Sequence, residues 1–345
     1  MKNISRKIFL GSLTSLSVMA SSLAFAEEMV TAPSFEGGVT ASIGTFYFVP
    51  SADNTNYVIV KDIDGNFTSF NYLDAQPDYD FGWEASLGYI FEDTANGIEL
   101  SYRGLDTDTT ATSYGINTST SFEVIDLQDQ LKYTFNSADL MISQYMDIGT
   151  HMQVRLSGGL AYLNLEEQQN LNVNNNETSD FVGSVDQKSK FNGWGPRLGM
   201  DARYDFGEDL AGFGIVGGAS LAYFLGSTDL TANTASPAGI APIANADDIN
   251  YVSYTDNVNN QSVVNLRGNL GIDYVYFFDN EERSTLGLEL GYMVDYYQDA
   301  VTTFSTAVLQ ENLVGITAPT RGTVITPTTD DVTFSGPYLQ LKGAF

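Results

Sequence analysis

Few residues of this chain could carry out acid–base, nucleophilic or metal-assisted chemistry. Its 345 residues include one histidine, His151, and no cysteine, so thiol catalysis and cysteine-based zinc sites are excluded. No Gly-x-Ser-x-Gly sequence supplies a nucleophilic serine. The acidic segment 62–66 lacks the closing Glu of a calcium-binding loop, which favours a polar turn. The sequence therefore predicts no catalytic residue, no metal site and no cofactor.

Charged side chains recur instead at alternate positions of otherwise apolar segments. From Asp80 to Phe91 the apolar side chains occupy the odd positions, whereas Asp80 and Glu84 share the even positions with Gly and Ser. The segments 192–206 and 263–278 repeat this pattern. Successive side chains of a β-strand point to opposite faces, so each segment has one apolar and one polar face. Such strands meet lipid on one side and a polar lumen on the other in a transmembrane β-barrel.

Ten strands of this kind are predicted along the chain. They lie near 37–49, 79–91, 96–106, 122–148, 151–166, 190–206, 211–227, 261–278, 284–298 and 332–345. The connections alternate between short turns at 92–95, 149–150, 207–210 and 279–283 and long polar loops near 50–78, 107–121, 167–189, 228–260 and 299–331. Short turns at one end and long extracellular loops at the other are typical of outer-membrane barrels. The predicted fold class is all-β, a transmembrane antiparallel up-and-down β-barrel.

The strand at 122–148 departs from a single alternation. Its apolar residues occupy odd positions up to Phe135 and even positions from Leu140 onwards. We predict a β-bulge near 136–138, where one extra residue would exchange the two faces. If a turn lies there instead, a further strand from 57–60 or 67–72 would bring the count to twelve.

The two ends of the chain indicate export to an outer membrane. Residues 1–26 have a basic start, a short apolar run and the ending Ala24-Phe25-Ala26, which predicts a secretory signal peptide cleaved before Glu27. The last strand alternates through Leu339 and Leu341 and ends on Phe345, an aromatic suited to the membrane interface. We therefore expect residues 27–345 to form one barrel domain in the cell outer membrane, reached through the periplasm.

The alternation also predicts which charged side chains face the lumen. The predicted pore-lining residues are Asp80, Glu84, Glu99, Arg103, Arg155, Arg197, Asp201, Arg203, Asp205, Arg267, Asp273, Glu289 and Asp295. Acidic residues outnumber basic ones in this set, which would favour cations in an open pore. Alternatively, the arginines and carboxylates pair across a narrow lumen and support the barrel without conduction. The residues alone leave both interpretations open.

Several motifs carry a resemblance to a known family. They are Phe81-Gly82-Trp83 at the start of an alternating strand, Ala138-Asp139-Leu140, and then Gln144, Gly149, Arg155 and Gly159-Leu160-Ala161-Tyr162. With these motifs, over about the central third, the chain resembles the major outer-membrane protein family of Legionella-type bacteria. The resemblance implies a pore-forming outer-membrane barrel. The cysteines expected in the best-known members are missing here, so a cross-linked assembly is not implied.

Together these features predict a porin-like channel for passive diffusion of small hydrophilic solutes, weakly preferring cations. The alternative is a non-conducting structural or adhesin-type barrel that acts through its surface loops. Expected partners are outer-membrane lipid, lipopolysaccharide, and small hydrophilic solutes or ions, and both a single barrel and a homo-oligomer fit the sequence. A formal charge of −28 with scattered basic residues excludes nucleic acid as a partner. His151 follows a predicted short turn and is interpreted as an incidental residue, which favours a protein without enzymatic activity.

Overall fold

The structure is a closed barrel of ten long antiparallel strands. This computed structural model describes residues 30–33, 35, 37–52, 56–57, 62–63, 66–67, 73–74, 77–117, 123–175, 181–207, 212–237, 249–278, 284–311 and 320–345. The strands are β1 (Gly38–Ala52), β2 (Asp80–Ile90), β3 (Asn96–Asn117), β4 (Glu123–Ile148), β5 (Met152–Asn175), β6 (Phe181–Asp205), β7 (Gly212–Pro237), β8 (Ile249–Phe277), β9 (Thr285–Glu311) and β10 (Thr320–Ala344). Each strand pairs with the next, and β10 pairs with β1, which confirms the predicted ten-stranded fold.

Short two-residue strands lie outside the closed barrel. Val30–Thr31 pairs with the end of β4. Asn56–Tyr57 pairs with Leu73–Asp74 in a separate small sheet, and the described residues form a closed barrel of ten strands rather than twelve. Residues 58–60 and 68–72 of the alternative strands fall outside the described residues. Within the described ranges, no helix is long and apolar enough to cross a membrane. The predicted signal peptide, residues 1–26, falls outside the described residues.

We call the end of the barrel opposite the short turns the long-loop end. At this end the strands continue beyond the segments in which apolar and polar residues alternate. β5 continues to Asn175 and β6 begins at Phe181, where the sequence predicted a loop over 167–189. The predicted loops 107–121, 228–260 and 299–331 likewise lie largely in strands. Beyond the lipid, both faces of a strand can be polar. Backbone pairing therefore continues where the pattern that marks a membrane strand has stopped.

The outer face carries an apolar band between two aromatic girdles. Exposed aliphatic side chains such as Ile142 and Leu270 lie between the girdles. The girdle toward the long-loop end includes the ring pairs Trp83–Tyr102 and Tyr162–Trp194, with ring centroids 5.1 and 4.7 Å apart. The girdle at the short-turn end includes Tyr89, Phe91, Tyr204, Phe206, Tyr276, Phe278 and Phe345. This arrangement matches the lipid-facing surface of an outer-membrane barrel.

The predicted bulge in β4 is wrong. β4 pairs without interruption with both β3 and β5 through Asn136–Ala138. Tyr133 and Phe135 are buried inside the lumen, whereas Leu140 and Ile142, on the opposite face, are exposed by 48% and 63%. The faces do not exchange. Near Phe135 the apolar residues of β4 face an apolar part of the lumen. Nearer the short-turn end the lumen is polar, and the apolar residues face the lipid instead.

An apolar core fills the lumen towards the long-loop end. Its buried members are Phe46, Phe48, Ala52, Leu105, Leu131, Tyr133, Phe135, Ala161, Leu163, Leu165, Phe191, Ala222, Phe224, Val263, Met293, Tyr297, Ala300, Val301, Val332, Phe334 and Tyr338. Every strand except β2 contributes a side chain, and β2 contributes Gly82 beneath the Phe46 ring. Phe334 has its ring centroid 5.5 Å from that of Phe135 and 6.1 Å from that of Tyr297. The core therefore closes the barrel from wall to wall.

The packing at Gly82 gives a test of this core. Gly82 lies opposite Phe46, and a Cβ at Gly82 would lie 2.0 Å from Phe46 Cε2. Phe46 packs on Phe48, with ring centroids 4.3 Å apart, so its ring has little room to move. We expect Gly82→Ala to lower the free energy of unfolding by about 1–3 kcal/mol, measured by urea unfolding in lipid vesicles.

The matched control is Gly268→Ala, whose added Cβ would have its nearest neighbour at 3.9 Å. This variant should change the unfolding free energy by less than about 0.5 kcal/mol. An equal decrease of the unfolding free energy in Gly82→Ala and Gly268→Ala would contradict the placement of Phe46.

Candidate functional site

Five charged side chains form a layer across the lumen on the short-turn side of the apolar core. This arginine–aspartate layer consists of Arg103, Arg197, Arg267, Asp139 and Asp295. Arg267 Nε lies 3.2 Å from Asp295 Oδ2, and Arg197 Nε lies 3.3 Å from Asp139 Oδ1. Arg103 also contacts Asp295, and Arg267 Nη1 lies 3.8 Å from Asp139 Oδ2. Each carboxylate is thus shared by two guanidinium groups.

Strand register places these side chains, and their contacts join strands that are not neighbours. Arg267 and Asp295 face each other in the β8–β9 pair. Arg103 reaches Asp295 from β3, and Arg197 of β6 reaches Asp139 of β4. The Arg103 and Asp295 side chains are only 5% and 1% exposed. Removing charges from water is costly, so each depends on its partners for compensation.

The short-turn half of the lumen contains a cavity of about 460 Å³, which we call the vestibule. Its wall includes small inward residues such as Ser42, Ser86 and Gly287. A second cavity of about 180 Å³ shares several of these wall residues and reaches Asp139 and Arg197 of the arginine–aspartate layer. Small side chains leave space in this half of the barrel.

Ion pairs on the vestibule wall are more exposed than those of the layer. Arg155 lies 3.1 Å from Glu99 and 2.8 Å from Asp201, and the three side chains are 29%, 27% and 45% exposed. Because one arginine serves two carboxylates, this group carries a net negative charge.

Two further ion-pair groups line the short-turn half of the lumen. Arg203 Nε lies 2.6 Å from Asp273 Oδ2, and Arg203 also contacts Asp205. Glu289 contacts Lys342. In the described part of the chain, no three His, Cys, Asp or Glu side chains are grouped to hold a metal ion.

The residues predicted to line a pore lie at three heights of the barrel. Glu84, Glu99, Arg155, Asp201, Arg203, Asp273 and Glu289 line the vestibule, with Asp205 beside Arg203. Arg103, Arg197, Arg267 and Asp295 form the layer with Asp139. Asp80 lies apart, at the start of β2, and accepts a hydrogen bond from the Asp108 backbone N–H at 3.4 Å. Their role as the wall of a conducting path stays a prediction.

Sequence reasoning missed the buried groups on the long-loop side of the layer. Asp129 is fully buried on β4 and accepts a 2.8 Å hydrogen bond from Gln169 Nε2, while Gln187 donates to Gln169 Oε1. Asp129 lies beyond the lipid-facing band. Burial raises the pKa of Asp129 to about 6, although the hydrogen bond from Gln169 opposes the shift. The parity change within β4 was one signal in the sequence for a filled lumen here, and Leu163 and Leu165, which share the inward parity of Arg155 on β5, were another.

A family comparison identifies the relatives of this barrel. Residues 31–345 match the family described as Legionella pneumophila major outer membrane protein precursor. The chain belongs to this family. The match covers nearly all of the barrel and confirms the resemblance carried by the central motifs. The family and the closed barrel place the chain in the cell outer membrane, where its apolar band contacts membrane lipid.

Solved structures give distant similarities. One is the outer membrane protease OmpT from Escherichia coli, with 13% identity, coverage of 92% of this chain and 99% of that chain, and a TM-score of 0.42. Another is the toluene transporter TodX of P. putida, with 8% identity, coverage of 89% of each chain, and a TM-score of 0.28. A FadL homologue of Pseudomonas aeruginosa has 10% identity, coverage of 90% of each chain, and a TM-score of 0.27. A comparison with curated proteins gives no match. At these identities and TM-scores, the solved structures support no statement about the activity of this major outer membrane protein family member.

Asp295→Asn tests the dependence of the layer on its shared carboxylates. The variant keeps the side-chain shape but leaves Arg103 buried without its anionic partner and leaves Arg267 only its longer contact with Asp139. We expect the free energy of unfolding to fall by about 3–5 kcal/mol in urea unfolding. As a control, Glu166→Gln removes the partly exposed partner of Lys188 and should cost no more than about 1 kcal/mol. A loss at Asp295 as small as that of the control would contradict a buried layer.

The raised pKa of Asp129 predicts a pH dependence of stability. Its folded-state pKa of about 6 lies above the ordinary value of 3.8, so folding disfavours the ionised form. The contribution of Asp129 is therefore most favourable below about pH 4 and is lost as the pH rises to about 6, by about 3 kcal/mol in total. Asp129→Asn should remove this decrease from unfolding free energies measured between these pH values. An unchanged pH profile in Asp129→Asn would contradict the assignment.

Proposed function

We propose that this protein is an outer-membrane channel for small hydrophilic solutes and that its path is closed in the conformation described here. The observation that supports this proposal is the hollow, charged vestibule in the short-turn half of the lumen. Its charged side chains are partly exposed to solvent from the short-turn end, up to the arginine–aspartate layer. A barrel with only a supporting role would gain stability from a filled lumen, because cavities cost packing energy. A hollow, charged half is the form expected of a solute path.

The closed part of the path lies at the arginine–aspartate layer and the apolar core. Transport would require the side chains of the core to separate, since residues such as Phe191, Phe224 and Val263 are fully buried. We place the long-loop end on the cell exterior, the arrangement usual for such barrels. Loops at that end would meet lipopolysaccharide. The oligomeric state, single barrel or homo-oligomer, does not alter the proposed path.

We propose a weak preference for cations. The formal charge of the chain is −28, and the group of Glu99, Asp201 and Arg155 adds a net negative charge to the vestibule wall. A negative wall raises the local concentration of cations.

We also propose that the protein has no enzymatic activity. His151 lies at the short-turn end, where its Nδ1 is 3.2 Å from the Gly207 carbonyl oxygen and its ring packs on Tyr204. These contacts give His151 a structural role at a turn.

A second candidate function is a non-conducting structural or adhesin-type barrel. The observation that favours it is the continuity of the apolar core, to which nine strands contribute buried side chains. In that case the arginine–aspartate layer would hold the strands together. The surface loops at the long-loop end would make the contacts of a structural or adhesin-type barrel.

Single-channel recording separates the two functions. The refolded chain is placed in a planar bilayer under a salt gradient. Discrete current steps, with a reversal potential whose sign shows that cations permeate more readily than anions, support the proposed channel. A folded barrel that never conducts would support the structural alternative.

The double variant Glu99→Gln/Asp201→Asn tests the source of the preference. We expect the reversal potential to move toward non-selectivity, because the two vestibule carboxylates are removed. The matched control, Glu166→Gln/Asp229→Asn, removes two carboxylates outside the lumen and should leave the reversal potential in place. A shift of equal size in both would contradict a vestibule filter.

A further inference from the structure

We propose that three lysines on the outer wall of the barrel, Lys132, Lys188 and Lys190, bind a phosphate group of lipopolysaccharide in the outer leaflet. We call these residues the lysine patch. The site depends on the placement of the long-loop end on the cell exterior, as proposed above, and not on conduction through the lumen. Three features of the molecule support it: the distribution of its basic side chains, the height of the patch above the aromatic girdle, and the charges around it.

The outward-facing basic side chains are concentrated in the lysine patch. The basic side chains that line the lumen are Arg103, Arg155, Arg197, Arg203, Arg267 and Lys342. Among the side chains that the structure describes, the basic ones that point away from the lumen are Lys132, Lys188 and Lys190, which alternate with buried inward residues such as Leu131 and Phe191. The formal charge of the chain is −28, so a group of cations on its outer wall is a local site for an anion.

Strand register brings the three lysines together. Lys132 of β4 and Lys188 of β6 both lie opposite Gln168 of β5, so their backbones are about 10 Å apart across the wall. Lys190 lies opposite Glu166, two residues nearer the lipid-facing band on the same face of β6. Lysine side chains are long and flexible, so the three ammonium groups can reach one phosphate group from these positions.

The lysine patch lies just beyond the aromatic girdle at the long-loop end. The girdle pair Tyr162–Trp194 is followed, on the same face, by the paired residues Asn164 and Asn192, and the Tyr162 hydroxyl donates a 3.2 Å hydrogen bond to Asn192 Oδ1. The next outward residue of β6 is Lys190, about 13 Å along the tilted strand from Trp194. Aromatic girdles mark the boundary between hydrocarbon and headgroups. The lysines therefore lie at the level of the lipid phosphates.

The lysines carry more charge than their one anionic contact neutralises. Glu166 contacts Lys188 and lies 3.4 Å from Lys190 Nζ, which holds both side chains over β5. These two lysine side chains remain 41% and 37% exposed. Lys132 is exposed and forms no ion pair within the described ranges. Three ammonium groups thus share one carboxylate, which leaves two positive charges for a phosphate monoester of about two negative charges.

Carboxylates on the flanking strands limit the site to β4–β6. Asp108 of β3 lies opposite Lys132, and Asp229 of β7 lies opposite Lys190. Each accepts a hydrogen bond from an amide side chain, and neither forms an ion pair with a lysine in the described part of the chain. Negative charge on both sides repels an anion from the neighbouring wall, so a phosphate group is favoured only over the lysine patch.

Native mass spectrometry of the refolded barrel in detergent tests the site, because it counts bound lipid molecules. The probes are lipid A with two phosphates, monophosphoryl lipid A and phosphatidylglycerol, each titrated separately. The variant Lys132→Gln/Lys188→Gln/Lys190→Gln removes the charges of the patch. Its matched control replaces the same three lysines by arginine and keeps the charges. Heat-modifiable gel mobility confirms that each variant is folded.

We expect the wild type and the arginine control to bind lipid A with two phosphates more tightly than phosphatidylglycerol, and the glutamine variant to bind it about a hundredfold more weakly. Monophosphoryl lipid A should bind with intermediate affinity. Glu166→Gln should bind lipid A more tightly than the wild type, because the competing carboxylate is removed.

Equal binding of lipid A by the wild type and the glutamine variant would overturn the site. Phosphatidylglycerol bound by the wild type as tightly as lipid A would overturn the assignment to lipopolysaccharide and indicate a site for any lipid phosphate. Loss of binding in the arginine control would overturn the role of charge. A barrel that binds lipid A but never conducts in a planar bilayer would overturn the proposed channel and leave the lysine patch intact.

Discussion

The width of a ten-stranded barrel determines how each inward side chain of this protein is accommodated. Closing ten strands fixes a lumen only slightly wider than one filled by side chains, so every inward residue must pack, pair or leave space. The chain uses all three solutions at different heights. Apolar rings such as Phe135 and Phe334 meet at the long-loop side, and ion pairs cross the middle. Small residues leave the vestibule at the short-turn side.

The arginine–aspartate layer is best understood as a junction between two environments. A buried ion pair is rarely more stabilising than an apolar pair of equal volume, so the layer is not explained by stability alone. Asp295 and Asp139 each hold two guanidinium groups from different strands, with water on the vestibule side and the apolar core on the other. In a solute path, such a layer provides charged groups at the place where the hydrated region ends.

Much of the fold was predictable from sequence because lipid imposes a strict alternation. Trp83, Leu87 and Leu270 mark the lipid face correctly, and the inward positions of Arg103, Arg267 and Asp295 follow from the same parity. The filling of the lumen was not predictable in this way. Parity assigns a residue to a face but does not distinguish lipid from an apolar interior.

The error at β4 shows this limit of alternation. Phe135 and Leu140 are both apolar, yet they point to opposite sides of the wall. The ends of the strands were also missed, because past the lipid the backbone remains paired while both faces become polar. Contacts between strands that are not neighbours, such as the hydrogen bond from the Thr302 backbone N–H of β9 to Ser189 Oγ of β6, are likewise not encoded by local periodicity.

Single-cysteine labelling with a water-soluble, membrane-impermeant thiol reagent tests most directly whether the barrel is sealed at mid-height. Ser157→Cys lies in the cavity next to the arginine–aspartate layer, and Ala161→Cys lies on the same strand and face, within the fully buried core. The reagent should modify Ser157→Cys in the folded barrel and should not modify Ala161→Cys. Equal labelling rates at the two positions would show that water passes the core and would contradict the closed lumen.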